Sequence, residues 1–496
     1  MKIHEIIRRG AARHARRTAL RRGSDQVTYG ELDALSDALA QSLRDQELSR
    51  GHGFLFLPNS IEYAVGYFGV AKTEGIVAPT PISLPHDRLA GEMAYCDAAY
   101  AITDAQHADA VYQAAQRVGT VRAVITLHDA GRRMEVKCLP APNGFLPTNG
   151  VPLHDDLAVL ISTSGTASDP KRVMLSHTNL TANIRSFDRI AQISENDVGA
   201  IVLPMTAVGT HTTELLAYLS AGMTINILKG IFVLGNFCKL LEQQQVTVVN
   251  VTPFILSTML SRSEEVAAKL ASVKRIFFAS APFAVEPFRQ LIAAFPQTDF
   301  YYGYGLTEAS PRCTTLTPGD QPDKLQSSGR ALQGVELAVV DDEGCVLPPG
   351  EFGEIVVRGP NVMLGYYKKP AETARVLQNG WLTTGDCGYQ DEDGFLYIRG
   401  RKKNIIITRG ISVSPEEVEQ EILGYPDVSE AYVAGCNDDR LGESIVAYVV
   451  PRAETQPDQG SLKEYLRHRL DPAKIPSRIE FVAQLQRNHN MKLIRG

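Results

Sequence analysis

The sequence predicts an α/β chain of two unequal parts: a large N-terminal domain of doubly wound α/β layers that carries a β-barrel-like subdomain, and a small α+β C-terminal domain. Three observations predict it. Between residues 27 and 302, aliphatic runs alternate with amphipathic stretches of helical spacing, the pattern of strands joined by helices. From Gly334 the texture changes to short alternating strands separated by DDEG, PPG and DEDG turns, which reads as antiparallel. The last ~95 residues hold enough strands and helices for a separate unit, so the expected domains are 1–400 and 401–496. A chain of 496 residues and 54.2 kDa is also too long for one ordinary core.

In chain order, residues 27–30 lead into a helix whose Leu32, Leu35, Ala38, Leu39 and Leu43 share one face. A strand over 54–58, a helix over 60–72 packed by Tyr63, Val65, Tyr67, Phe68 and Val70, and a strand over 75–79 follow. Residues 129–156, rich in Gly, Pro and Asn with weak periodicity, read as a long connection. Strands are expected at 157–161 and 172–176, a helix at 179–193, a strand at 200–204, a helix at 215–221, and strands at 223–228, 246–251, 273–278 and 299–302. Asp393 and Gly394 suit a hairpin turn. Beyond Arg401 the expected elements are the strand IIIT, a helix at 416–423, strands at 431–434 and 444–451, and a helix at 461–470.

Composition narrows the function. Hydrophobic content of 44% and charged content of 21% suit a globular protein, and a net charge of −6 argues against nucleic acid or an anionic membrane as the main partner. No run of about 18 apolar residues is present, so no transmembrane segment is expected. The seven cysteines are scattered and never paired as CxxC, which suits neither zinc nor a disulfide framework and fits a reducing cytoplasm. Seven arginines crowd the first 22 residues, but an apolar core for a secretion signal is missing and Glu5 interrupts the charge; a surface helix with a basic solvent face is expected.

Chemistry concentrates in the stretch LAVLISTSGTASDPKRVMLSH, residues 157–177. An apolar strand breaks into a loop of Ser, Thr, Gly and Ala, whose backbone N–H groups and hydroxyls suit a polyphosphate, and Lys171 adds a point charge at its far end. A Walker loop requires Gly before the Lys and a helix after it; here Pro170 precedes Lys171 and a strand follows. The same composition also fits a solvated turn between strands. Further on, YGYGLTE presents Thr307 and Glu308 on a Gly-rich turn, and a lone carboxylate beside a phosphate site is best explained by Mg²⁺. WLTTGD ends in Asp386, with Arg401 fifteen residues on; an acid that accepts from ribose hydroxyls is a common solution for nucleosides.

In this order, these stretches resemble the adenylate-forming superfamily: acyl-CoA synthetases and AMP-dependent ligases, adenylation domains of nonribosomal peptide synthetases, and beetle luciferases. The family pattern TSGTTGxPK stands here as Thr163 to Lys171, with Ala167 and Ser168 departing from it. The resemblance runs from Tyr29 to Lys492. It implies nucleotide binding by Thr163, Ser164, Gly165, Thr166 and Lys171, an adenine pocket of Ala281, Pro282, Tyr302, Gly303 and Tyr304, and a ribose contact at Asp386 shared with Arg401. It further implies Thr307 on the α-phosphate, Glu308 on Mg²⁺, Lys403 as a hinge, and Lys492 on a mobile C-terminal domain reaching the carboxylate and α-phosphate. Leu441 to Ser444 resembles a phosphopantetheine attachment site only faintly and reads as structural.

The implied reaction is ATP-dependent conversion of a carboxylic acid to acyl-AMP with release of pyrophosphate, then transfer to a thiol, either CoA or the phosphopantetheine of a separate acyl carrier protein. Two alternatives stand beside it: an amino-acid adenylating enzyme that loads a separate carrier protein, and a catalytically inactive nucleotide-binding homologue. The segment MTAVGTHTTE has no acid before Glu214, which disfavours an α-amino acid. Thr206, His211 and Arg312 are the candidates for the acyl pocket, Arg312 suiting an anionic tail, although a helix-face His and a loop Arg would look the same. Arg409, where the family often has Gly, weighs slightly against CoA.

Overall fold

Four sheets organise the chain in the computed structural model, which describes residues 1–139, 155–163, 171–320, 323–408, 411–438, 442–452 and 455–486. The largest has nine strands. Its central strands, Thr18–Arg22, Thr224–Ile227, Val198–Ile201, Val248–Val251, Arg275–Phe278 and Asp299–Gly305, run parallel, and antiparallel strands close both ends. The second has eight strands, with Leu157–Ser162, Ile76–Pro79, His52–Phe56, Ala98–Asp104 and Ala123–His128 parallel at its centre. Helices Ile61–Lys72 and His177–Ala191 share one hydrophobic core with strands of both sheets. All but one residue of Ile61–Lys72 is buried, as a helix packed between two sheets requires.

Local chemistry starts these helices where the sequence places them. Thr28 and Glu31 form a reciprocal capping box at Tyr29–Asp45, and Ser176 and Asn179 form another at His177–Ala191. Ser60 caps Ile61–Lys72, and Ser414 precedes a proline at the first position of Pro415–Leu423.

The run after Gly334 forms a five-stranded antiparallel sheet, which no pairing closes into a barrel among the described residues. Residues from Ile406 onward form another five-stranded sheet with its own core of Val418, Ile422, Val433, Ala447 and Leu462. The chain is thus a large N-terminal α/β part followed by a small C-terminal one.

Three segments differ from expectation. The connection at 129–156 contains the strand Arg133–Cys138, an exposed antiparallel edge whose charges face solvent and mask the alternation. The N-terminal helix Glu5–His14 buries Ile6 and Ile7, and the arginine-rich stretch after it is a strand of the nine-stranded sheet. The helix expected at 215–221 begins earlier, as a π-helical turn over Thr210–Leu216 that passes into Ala217–Ser220. All seven residues of the turn are buried although four carry polar or charged side chains besides His211, so its apolar periodicity is weak.

Candidate active site

The strand pair Leu157–Ser162 and Arg172–Ser176 holds the neck of the small-residue loop: Ser162 pairs with Arg172, and the Thr163 N–H donates to the Lys171 carbonyl at 3.0 Å. Ser164, Gly165 and Thr166 lie outside the described residues, as do Arg409 and Lys492. Beneath the neck, Arg172 is fully buried and engages four acceptors. Its Nη1 donates to the Pro79 carbonyl at 2.8 Å and the Leu160 carbonyl at 3.1 Å, and its Nη2 to Thr80 Oγ1 at 2.8 Å and Glu92 Oε2 at 3.0 Å. Lys171 pairs with Glu372 and lies over the Tyr366 ring, 4.9 Å from its centre.

The strand Asp299–Gly305 delivers the second group of candidates. Tyr302 stacks on Phe278 with ring centres 4.9 Å apart, and its hydroxyl donates to the Ala281 carbonyl at 3.4 Å, which sets the exposed Ala281 and Pro282 beside it. The Tyr304 hydroxyl donates to Asp386 Oδ2 at 2.7 Å. The strand then turns into the short helix Thr307–Ala309, where Thr307 and Glu308 are half-buried. Glu308 Oε1 accepts from the Tyr366 hydroxyl at 2.9 Å, and the Met363 N–H donates to the Glu308 carbonyl at 2.8 Å.

Asp386 and Arg401 are register partners on adjacent antiparallel strands, and Arg401 Nε meets Asp386 Oδ1 at 2.8 Å. Burial pushes the Asp386 carboxyl up, while Arg401 and Tyr304 pull it back. The Asp386 charge in turn holds the Arg401 guanidinium above its ordinary range. Tyr304, Asp386, Arg401, Glu308 and Tyr366 thus form one electrostatically linked group from three sequence-distant motifs. Tyr366 and Glu372 were missed in the sequence: each acts through tertiary proximity, and the two-residue strand Gly365–Tyr366 has no periodicity to read.

Lys403 sits exposed in the short helix Lys402–Asn404. Its neighbours are tied in opposite directions: Lys402 Nζ to Asp342 at 2.8 Å and Glu354 at 3.1 Å, Asn404 to Glu416 at 3.3 Å.

The acyl-pocket candidates have different surroundings. Thr206 is half-buried beside Met205, whose N–H donates to Asn59. His211 is fully buried with Nε2 2.8 Å from the Tyr67 hydroxyl and Nδ1 3.1 Å from the Thr212 hydroxyl, and burial pushes its imidazole down to about 3. It therefore lies against the helix Ile61–Lys72. Arg312 is buried with its guanidinium over Phe187 and Phe277, at 4.8 and 5.3 Å from the ring centres, and donates to Asn250 Oδ1 at 3.3 Å. Among the described residues no group of three metal-ligating side chains occurs, and no helix is long and apolar enough to cross a membrane.

Comparison with known proteins fits this geometry. Residues 7–367 match the family described as AMP-binding enzyme, and residues 417–492 match the AMP-binding enzyme C-terminal domain. The chain is 31% identical to a feruloyl-CoA synthase of Amycolatopsis sp over 482 residues, covering 97% of this chain and 94% of the relative. Among solved structures it is similar to ATP-bound MatB from Rhodopseudomonas palustris, with TM-score 0.85, 26% identity and coverage of 99% and 97%. It is likewise similar to the o-succinylbenzoate CoA synthetase of Bacillus subtilis in complex with AMP, with TM-score 0.83, 26% identity and coverage of 98% and 96%. The chain belongs to the AMP-binding enzyme family, the adenylate-forming superfamily that its sequence motifs resemble.

Proposed function

We propose that the chain is an AMP-forming acid–thiol ligase: a carboxylate attacks the α-phosphate of ATP, pyrophosphate leaves, and a thiol then displaces AMP to give a thioester. The observation that carries this reading is the 2.7 Å bond from Tyr304 to Asp386, which joins the end of one parallel strand to the Asp386–Arg401 pair of another sheet. Asp386 and Arg401 are assigned to the ribose, Tyr302, Gly303, Tyr304, Ala281 and Pro282 to the adenine, and Thr307, Lys171 and the loop from Thr163 to the phosphates. Glu308 fits a Mg²⁺ ligand, since it is a half-buried carboxylate one residue from Thr307 and Mg²⁺ takes one or two protein oxygens beside phosphates. The ion, when bound, neutralises phosphate charge.

No side-chain nucleophile is needed, because the substrate supplies its own. The residues act by placement and by charge: Lys492 and the loop donors stabilise the negative charge that builds on the α-phosphate. The opposite tethers of Lys402 and Asn404 support a division of the chain at 400/401 with Lys403 as the hinge. Seven unpaired cysteines suit the cytoplasm as the working compartment.

ATP–pyrophosphate exchange over a panel of fatty, aryl and amino acids tests the reading, followed by product analysis with CoA and with a phosphopantetheinylated carrier protein. Exchange with non-amino acids and thioester with CoA or carrier is expected. Exchange confined to amino acids would identify an amino-acid adenylating enzyme, and ATP binding without exchange would identify an inactive homologue.

A further inference from the structure

On the face of strand Asp299–Gly305 opposite Tyr304, a buried polar cluster is only partly hydrogen-bonded. Gly303 is adjacent in sequence to Tyr304 and so faces the other way. A Cβ built on it would lie 3.6 Å from Arg312 Nη1 and 3.8 Å from its Cζ, so the guanidinium packs against this bare stretch of strand. Arg312 is 6% exposed, and its Nη1 has no hydrogen-bond partner. Glu214, 1% exposed and borne by the π-helical turn, has neither carboxyl oxygen in a hydrogen bond of good geometry; the Thr210 hydroxyl lies near it and is itself unpartnered. The two do not bond each other, although each feels the other's charge. Tyr218 adjoins both and is held by Asn250 at 2.8 Å, which also takes the one hydrogen bond Arg312 makes.

Buried polar groups are nearly always paired, and a buried charge without a partner is costly. Two opposite charges sharing such a site would gain by closing into an ion pair, and these do not. Burial pushes the Glu214 carboxyl up to about 8 and brings the Arg312 guanidinium down to about 10. Burial thus favours the uncharged form of Glu214, which has an O–H to donate, while Arg312 is a cation walled by Phe187 and Phe277 with its Nη1 unpartnered. What completes the cluster is an anion with two acceptor oxygens.

Building on the ligase reading, we propose that the acid activated is a dicarboxylic acid: one carboxylate reacts beside Thr307, and the second accepts from Arg312 Nη1 and from Glu214. A terminal methyl at this site would leave both groups unpaired, and sites built to hydrogen-bond a substrate reject analogues that lack the bonding group far more strongly than apolar pockets reject a missing methylene.

The test is ATP–pyrophosphate exchange by the full chain with length-matched series of monocarboxylic, ω-hydroxy and dicarboxylic acids. The dicarboxylic acid should exceed its monocarboxylic match by at least about 10²-fold in kcat/KM, with the hydroxy acid between. Arg312→Met should cut that ratio at least about 10-fold, chiefly through the KM of the diacid. Glu214→Gln, which preserves volume, supplies the same readout if Arg312→Met fails to fold. Monocarboxylic acids turning over as well as diacids would overturn this inference alone, as would folded variants with an unchanged ratio. Exchange with no acid of any kind would sink the ligase reading and this inference with it.

Discussion

Among the described residues two arginines are buried, and their surroundings differ. Arg172, beneath the neck of the small-residue loop, engages two carbonyls, a hydroxyl and the Glu92 carboxylate. Arg312, beneath the strand that carries Tyr304, makes one long hydrogen bond and rests on two aromatic rings. The first ties the strand after the loop to Ile76–Pro79 and Leu157–Ser162 and has its counter-charge within the fold, only its Nε lacking a partner. The second is incomplete, and its missing counter-charge points outward to a ligand. Burial alone therefore does not separate a structural charge from a functional one; the state of its partners does.

The sharpest way to break this comparison is Arg172→Met. It leaves Glu92 without its buried partner, and breaking a buried pair costs about 3–5 kcal/mol. Denaturant unfolding should show that loss, and Arg172→Met with Glu92→Leu should recover a large part of it. Full stability in the single variant would make Arg172 no more structural than Arg312.

Lys492→Ala is expected to slow acyl-AMP formation about 10²-fold or more, roughly 2.7 kcal/mol of transition-state binding, while thioester formation from supplied acyl-AMP persists. The two half-reactions are separable by pyrophosphate exchange and by a thiol-release assay. Equal damage to both would count against Lys492 as an adenylation residue.

A smaller effect concerns Glu214. Its carboxyl rises from 4.5 to about 8 on folding, so the folded chain binds the proton more tightly than the unfolded one. Stability attached to this group is present below pH 4.5 and is lost as pH rises toward 8, as the unfolded chain releases a proton that the folded chain keeps. The stability of Glu214→Gln relative to the parent should grow between pH 5 and 8 by about 1 kcal/mol or more. A difference that stays flat with pH would mean Glu214 is ionised and paired in solution.

The legible parts of the molecule were those whose signal is local. The strands 157–161 and 172–176, the helix over 60–72 and the turn at Asp393–Gly394 announce themselves by apolar runs, spacing and turn chemistry, and the structure has them within a few residues. Asp386 and Arg401 were grouped by the family resemblance, and the structure adds that they are register partners. Tyr366 on Glu308, Glu372 on Lys171 and Glu92 on Arg172 were not legible, because 58, 201 and 80 residues separate the partners and nothing local marks them. The turn Thr210–Leu216 hid for another reason: it buries Thr, His and Glu where the hydrophobic pattern of a helix would be sought.

The central claim is that a carboxylate of the substrate, placed by this site, attacks the α-phosphate. The most direct measurement supplies the acid with ¹⁸O in its carboxylate groups, with Mg²⁺, ATP and a thiol, and weighs the AMP produced. One labelled oxygen should appear in AMP and none in pyrophosphate, because the bridging oxygen of the acyl-adenylate stays with phosphorus when the thiol attacks the acyl carbon. Unlabelled AMP, or label in a released phosphate, would contradict the account.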